Sequence, residues 1–293
     1  MRTFDIKKIL IPVDFSETSN LAIEHGGFMA ELFGANVVLI HVIEDNWQSF
    51  SVIDSGVGIK DFSAFASKAE DKLAEVAERL KKDYNVSSKL ICTTGNICNE
   101  IVKAVKEYDT DLIVMGTHGV SGFEEFFVGS NTYKVVNRAA CPVLSVQTHP
   151  QRKGFKDILL PIDTSPHTLQ KVDYALALAE KYGATIHVLA VLSKGEDTRQ
   201  FEKKLEQVDK HIEKSGIIST TTRVEGSNQA RMTLEHAKKI GADLIVIMTD
   251  QEENLSGRFI GPYAQQVVNH SRTAVMSIAP FVKDELLESV HPY

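Results

Sequence analysis

At 293 residues, with 43% hydrophobic and 24% charged residues, the chain is long enough for two domains and apolar enough to bury a core in each. That composition excludes a mainly disordered chain. A formal charge of -7 argues against affinity built on neutralising nucleic-acid phosphates, which needs a basic surface.

The chain opens Met1-Arg2-Thr3-Phe4-Asp5, turns acidic after a short apolar run and has no small-residue cleavage site, so no export signal is expected. Apolar, β-branched runs predict strands near 8–13, 37–43, 88–93, 111–116 and 142–147. The longest of them, around Asn36 to Ile43, is far below the roughly 20 residues that span a bilayer. Between the strands, Ser67 to Lys82 and Ile97 to Tyr108 carry apolar residues at helical spacing. Gly34 and Gly183 stand where a helix needs a left-handed terminating residue. Glu44 to Lys60, with its glycines, serines and Trp47, reads as a long loop. Strands alternating with helices predict a parallel sheet covered by helices, and five strands fit an open, doubly wound, Rossmann-like sheet.

The pattern then repeats. Lys7 to Asp14 reappears as Lys156 to Asp163 at an offset of 149, and Ala30 to Ala35 as Ala179 to Ala184 at the same offset. Asp111-Leu-Ile-Val-Met115 matches Asp243-Leu-Ile-Val-Ile247 at an offset of 132, so the second copy is shorter by 17 residues, a deficit expected in the Glu44 to Lys60 loop. A period this long means domain duplication rather than a solenoid. The expected organisation is a domain over 1–148, a second over 153–282 and a tail over 283–293, with Thr148 to Gly154 as linker.

Three cysteines, Cys92, Cys98 and Cys141, show no metal-ligand spacing and suit a reducing compartment. Cys98 near a helix start could be activated as a thiolate, but a small packing residue is the better reading. The sequence lacks both GxxxxGK[ST] and GxGxxG after a strand, which disfavours a P-loop kinase or a dinucleotide dehydrogenase.

Ligands of doubly wound sheets lie beyond the carboxyl ends of the strands. After the fourth strand comes Gly116-Thr-His118-Gly119, then nine residues, then Gly129-Ser130-Asn131 and a helical pattern. Gly116 and Gly119 allow close backbone approach, and Gly129 and Ser130 open a helix whose free amides and dipole favour a phosphate. Alternatively, Ser130 merely caps that helix and nothing binds.

This glycine loop after Val114-Met115, together with Ile11-Pro12-Val13-Asp14-Phe15-Ser16 and the closing Cys141-Pro-Val-Leu run, resembles the universal stress protein family, over the first copy almost completely and over the second outside its loop. Gly116, Gly119, Gly129 and Ser130 match the family's ATP-binding motif. The resemblance implies an adenine nucleotide alpha hydrolase-like fold and a site for ATP or a related adenine nucleotide, with or without Mg2+, formed by Pro12, Val13, Asp14, Val42, Met115, Gly116, His118, Gly119, Gly129, Ser130 and Asn131. Asp14 would accept a hydrogen bond from adenine or ribose and Val42 would offer its backbone to the base; the competing readings are a helix cap and plain core. His118 lines the loop, and no spacing marks it as a base. Glu124 and Glu125 stand where many members carry a basic residue and would repel phosphates unless they face solvent.

The second copy departs from the motif: Met248 replaces Gly116, Gln251 replaces Gly119 and Pro262 replaces Ser130, while Gly261 retains Gly129. A degenerate domain is expected there, with Asp163 kept as a helix cap. The resemblance further implies a cytoplasmic stress-response protein that signals through its nucleotide-bound state, hydrolysing slowly at most. The long loop would order over the nucleotide. Two alternatives stand beside it: a scaffold whose 141–146 and 274–278 strands pair antiparallel within the chain, with a homodimer as a further step, or a weak nucleotide hydrolase or nucleotidyl transferase. No nucleic-acid or membrane partner is expected.

Overall fold

The computed structural model describes residues 4–44, 60–117, 129–147, 154–163, 167–193, 195, 197–249, 251–254 and 257–280. In the first copy these form β1 (Lys8–Pro12), α1 (Glu17–Phe33), β2 (Asn36–Glu44), α2 (Lys60–Tyr84), β3 (Ser88–Gly95), α3 (Ile97–Tyr108), β4 (Leu112–Gly116), α4 (Ser130–Arg138) and β5 (Val143–Val146). The second copy gives β6 (Asp157–Ile162), α5 (Thr168–Tyr182), β7 (Thr185–Leu192), α6 (Thr198–Ser215), β8 (Ser219–Glu225), α7 (Gln229–Ile240) and β9 (Leu244–Met248). A hairpin of β10 (Gln251–Asn254) and β11 (Gly257–Ile260) follows, then α8 (Pro262–His270) and β12 (Ala274–Ile278).

Local chemistry accounts for most of these boundaries. The central strands are unbroken apolar runs because helices cover both faces: Leu112, Ile113 and Val114 of β4 and Leu244 to Ile247 of β9 are fully buried. Helix α3 buries Cys98, Ile101, Ala104 and Val105, a stripe at helical spacing. Helices α1 and α5 end on Gly34 and Gly183 at φ 68° and 59°, the left-handed conformation that costs glycine nothing.

The strands join in one ten-stranded sheet of order β3-β2-β1-β4-β5-β12-β9-β6-β7-β8. Within that sheet every pairing inside a copy is parallel, and β5 meets β12 antiparallel with Ser145 opposite Val275 and Leu144 opposite Met276. The expected pairing of these two strands within the chain is therefore what joins the copies. Each sheet face carries one apolar cluster, and each cluster crosses the junction: Ile11, Leu144, Leu160 and Met276 share one, Ile113, Val143, Ile245 and Val275 the other. Aromatic contacts close the junction further, with Phe155 lying 6.0 Å from His25 and 5.1 Å from Tyr182 between ring centroids.

Three local expectations change. The stretch read as a loop from Glu44 to Lys60 is shorter, since Glu44 ends β2 and Lys60 begins α2; its remainder, 45–59, lies outside the described residues. Helix α2 starts ahead of Ser67 and runs for 25 residues against 18 in α6, so seven of the residues missing from the second copy come from the helix. The β10–β11 hairpin has no sequence forewarning, because Gln251-Glu-Glu-Asn254 lacks the apolar alternation that marks a half-buried strand.

Candidate functional site

Strand β1 ends in a turn held by several hydrogen bonds. The Val13 amide donates to the Ile40 carbonyl at 2.8 Å, and His41 Nδ1 lies 2.7 Å from the Val13 carbonyl oxygen. Asp14 follows, exposed, its amide donating to Ser19 Oγ at 3.2 Å and its Oδ1 accepting from the Ser16 amide at 2.9 Å. Ser16, not Asp14, is the N-cap of α1, with its side chain accepting from the Ser19 amide. Asp14 thus keeps a carboxylate at the strand end without being consumed as the helix cap. Phe15 takes φ 64°, a conformation uncommon for a bulky residue, while its ring packs 4.8 Å from that of His41 with Lys72 Nζ 5.1 Å from its centre.

Beyond this turn the carboxyl ends of β1, β2 and β4 and the starts of α3 and α4 enclose a cleft of about 100 Å³. Pro12, Val13, Asp14, Val42, Met115, Gly116 and Asn131, all singled out from the sequence, line it. Pairing of β2 with β1 stops at Pro12 opposite Ile40, so Val42, two residues on, turns its backbone to the same side past the last pairing. Five further lining residues escaped sequence reading: Ser19, Ile40, Ile97, Ile101 and Thr132. Ile97 and Ile101 sit one helical turn apart, which signals a buried helix face but not that the face ends at a cleft. Thr132 Oγ1 donates to the Gly116 carbonyl at 2.9 Å and ties α4 to the end of β4.

The Gly129 amide donates to the Thr117 carbonyl at 2.6 Å and closes the excursion between them. His118 and Gly119, with Glu124 and Glu125, fall inside that excursion and lie outside the described residues. Ser130 is the first residue of α4 rather than its cap; Gly129 holds the cap position and, among the described residues, no side chain accepts from the helix amides. Ser16 caps α1 and Asn96 caps α3, so of the three helices that start around the cleft α4 is the one whose leading amides lack a side-chain acceptor among the described residues. No acidic residue occupies its first turn. At its other end Arg138 Nη1 donates to Asn99 Oδ1 of α3 at 2.6 Å. Cys98 is buried there, and burial raises its thiol pKa against the opposing pull of Arg138, so it stays a packing thiol despite its helix-start position. Among the described residues no three His, Cys, Asp or Glu side chains are grouped to hold a metal ion.

Gly116 is bounded by protein as well as by the cleft. A Cβ built on it would stand 2.8 Å from the backbone carbon and oxygen of Thr18, at the start of α1. The second copy meets this constraint differently: α5 begins only at Thr168, which corresponds to Ser19, and Met248 fills the equivalent position, 3% exposed. Pro161, Ile162, Asp163, Val191, Gln229 and Tyr263, the counterparts of Pro12, Val13, Asp14, Val42, Ile97 and Asn131, still surround a recess, now of about 10 Å³. Tyr263 stands in place of Asn131, its hydroxyl 3.2 Å from Thr233 Oγ1. Pro262 begins α8 and removes one leading amide. Asp163 Oδ1 accepts from Thr168 Oγ1 at 2.5 Å, a structural use for the retained carboxylate.

A doubly wound parallel sheet with a cleft at its strand ends, duplicated and joined edge to edge, defines a Rossmann-like α/β tandem. The model of the universal stress protein family matches residues 5–147 and again 154–278, and the chain belongs to that family. It is 35% identical over 153 residues to a universal stress protein of Methanocaldococcus jannaschii, covering 48% of this chain and 94% of that one. The YxiE universal stress protein of Bacillus subtilis is 28% identical over 145 residues, covering 48% and 98%. Over nearly the whole length, a universal stress protein from Archaeoglobus fulgidus has the same fold with a TM-score of 0.76 at 20% identity, covering 95% of this chain and 99% of that chain.

Proposed function

We propose that the first copy binds ATP or a related adenine nucleotide in the β1–β2–β4 cleft and that the chain acts as a nucleotide-dependent regulator in the cytoplasm. The observation that carries this reading is the contrast between equivalent positions: open around Asp14 and Asn131, closed around Asp163 and Tyr263. The base fits against Val13 and Val42, the Asp14 carboxylate accepts from adenine or ribose, and the uncapped start of α4 receives the phosphates through its amides and dipole. Gly129, Ser130 and Asn131 supply that start. Asp14 is the one carboxylate among the described lining residues, so these residues offer no cage for Mg2+, and a magnesium ion would arrive on the phosphates. A positioned base and a phosphate-contacting cation are absent from those lining residues, which favours binding and slow hydrolysis at most over turnover.

Calorimetry with ATP on nucleotide-stripped protein tests the reading. One site per chain is expected, weakened in Asp14→Ala. Two equal sites, or none, would overturn it. If none, the continuous β5–β12 sheet and shared cores favour the scaffold, with sedimentation then reporting whether two chains associate.

A further inference from the structure

Helix α4 supplies the uncapped amides at the cleft, yet its own copy is not all that holds it. Strand β11 of the second copy packs against α4, and so does α8. Ile260, the last residue of β11, is 5% exposed and lies in the same apolar cluster as Val135 and Val136 of α4. The hairpin occupies chain positions equivalent to the glycine loop of the first copy, with Gln251 in place of Gly119 and Gly261 in place of Gly129. Tyr263 closes the recess beside it, and Pro262 removes an amide donor, so that segment no longer serves a phosphate of its own.

We propose that the second copy's degenerate loop has become a brace for the first copy's site: the β10–β11 hairpin, through Ile260, is a positioning element that holds α4 where its leading amides meet the nucleotide phosphates. The proposal rests on the nucleotide-binding reading above for its ligand, but the mechanical link between Ile260 and α4 does not. Apparent affinity scales with the fraction of molecules whose α4 is seated, so loosening the brace weakens binding without touching a ligand contact. Duplication would thereby be retained because one copy keeps the site and the other keeps it in shape.

The test uses the full chain as wild type, Ile260→Ala, Ile260→Val and Ile212→Ala, the last removing a buried side chain of α6 from the cluster on the opposite sheet face. Amide hydrogen exchange is followed in α4 and α3 without nucleotide, and ATP affinity by calorimetry. If Ile260→Ala leaves α4 seated a tenth of the time, the Kd for ATP rises about tenfold. Exchange in 130–138 quickens while α3 keeps the wild-type rate, Ile260→Val falls between, and Ile212→Ala changes neither α4 exchange nor Kd. Should Ile260→Ala not fold, Ile260→Val carries the comparison. Exchange in α4 no faster in the Ile260 variants than in Ile212→Ala overturns the brace. Selective loosening of α4 in protein that takes up no ATP upholds the brace and removes the nucleotide reading instead.

Discussion

Replacing Gly116 by alanine places a methyl group 2.8 Å from the backbone carbon and oxygen of Thr18 and 2.9 Å from its Cβ. Carbon atoms pack best at about 3.5–4.0 Å, so one side must move by more than half an ångström. Neither moves easily. Thr18 is 4% exposed, and the α1 start is fastened by Ser16 accepting from the Ser19 amide and Asp14 accepting from the Ser16 amide. Overpacking of this kind costs about 1–3 kcal/mol. At about 2 kcal/mol the ratio of folded to unfolded protein falls roughly thirtyfold. Shifting the α1 start also drags Asp14, so Gly116→Ala should weaken ATP binding even where the added methyl touches no ligand atom. Urea unfolding followed by circular dichroism, without nucleotide, reads the first effect, and calorimetry reads the second. An unfolding midpoint equal to that of the wild type would refute the argument from Thr18. Lost ATP binding at unchanged stability would assign the glycine to the ligand alone.

Opening the second copy requires restoring the first copy's residues together: Met248→Gly with Pro262→Ser and Tyr263→Asn is expected to raise ATP stoichiometry from one to two per chain, measured by calorimetry. Met248→Gly alone is expected to leave it at one, since Tyr263 still fills the recess. Burial pushes the His25 pKa below its ordinary 6.5, with Glu24 pulling the other way. The unfolded chain therefore binds a proton that the native chain refuses, so this contribution to stability is intact above pH 6.5 and is lost as pH falls through the lowered native value. Urea midpoints at pH 7.5 and 5.5 should drop on acidification in the wild type and drop less in His25→Gln; an equal drop in both would remove His25 from the acid response.

How far the sequence reaches depends on how local the physical cause is. Strand positions were legible because buried parallel strands must be continuous apolar runs, as at Leu112 to Met115 and Leu244 to Met248. Gly34 and Gly183 were legible because a left-handed helix end is a property of one residue and its neighbours. The duplication showed in matching words of sequence, and with it the loss of the glycine motif from the second copy. Tertiary structure alone decided what those residues meet. Gly116 lies against Thr18, remote in sequence, so its missing side chain has a packing reason that no motif displays. Ile97 and Ile101 look like any helix face until β1, β2 and β4 bring the cleft to it. Tyr263 closes the second recess only because α8 delivers it there, and the polar strand β10 becomes an ordered element by pairing with β11, which packs against α4 of the other copy. Conformational preference acts over a few residues and is written in order along the chain, whereas steric fit is settled between segments that only folding brings together.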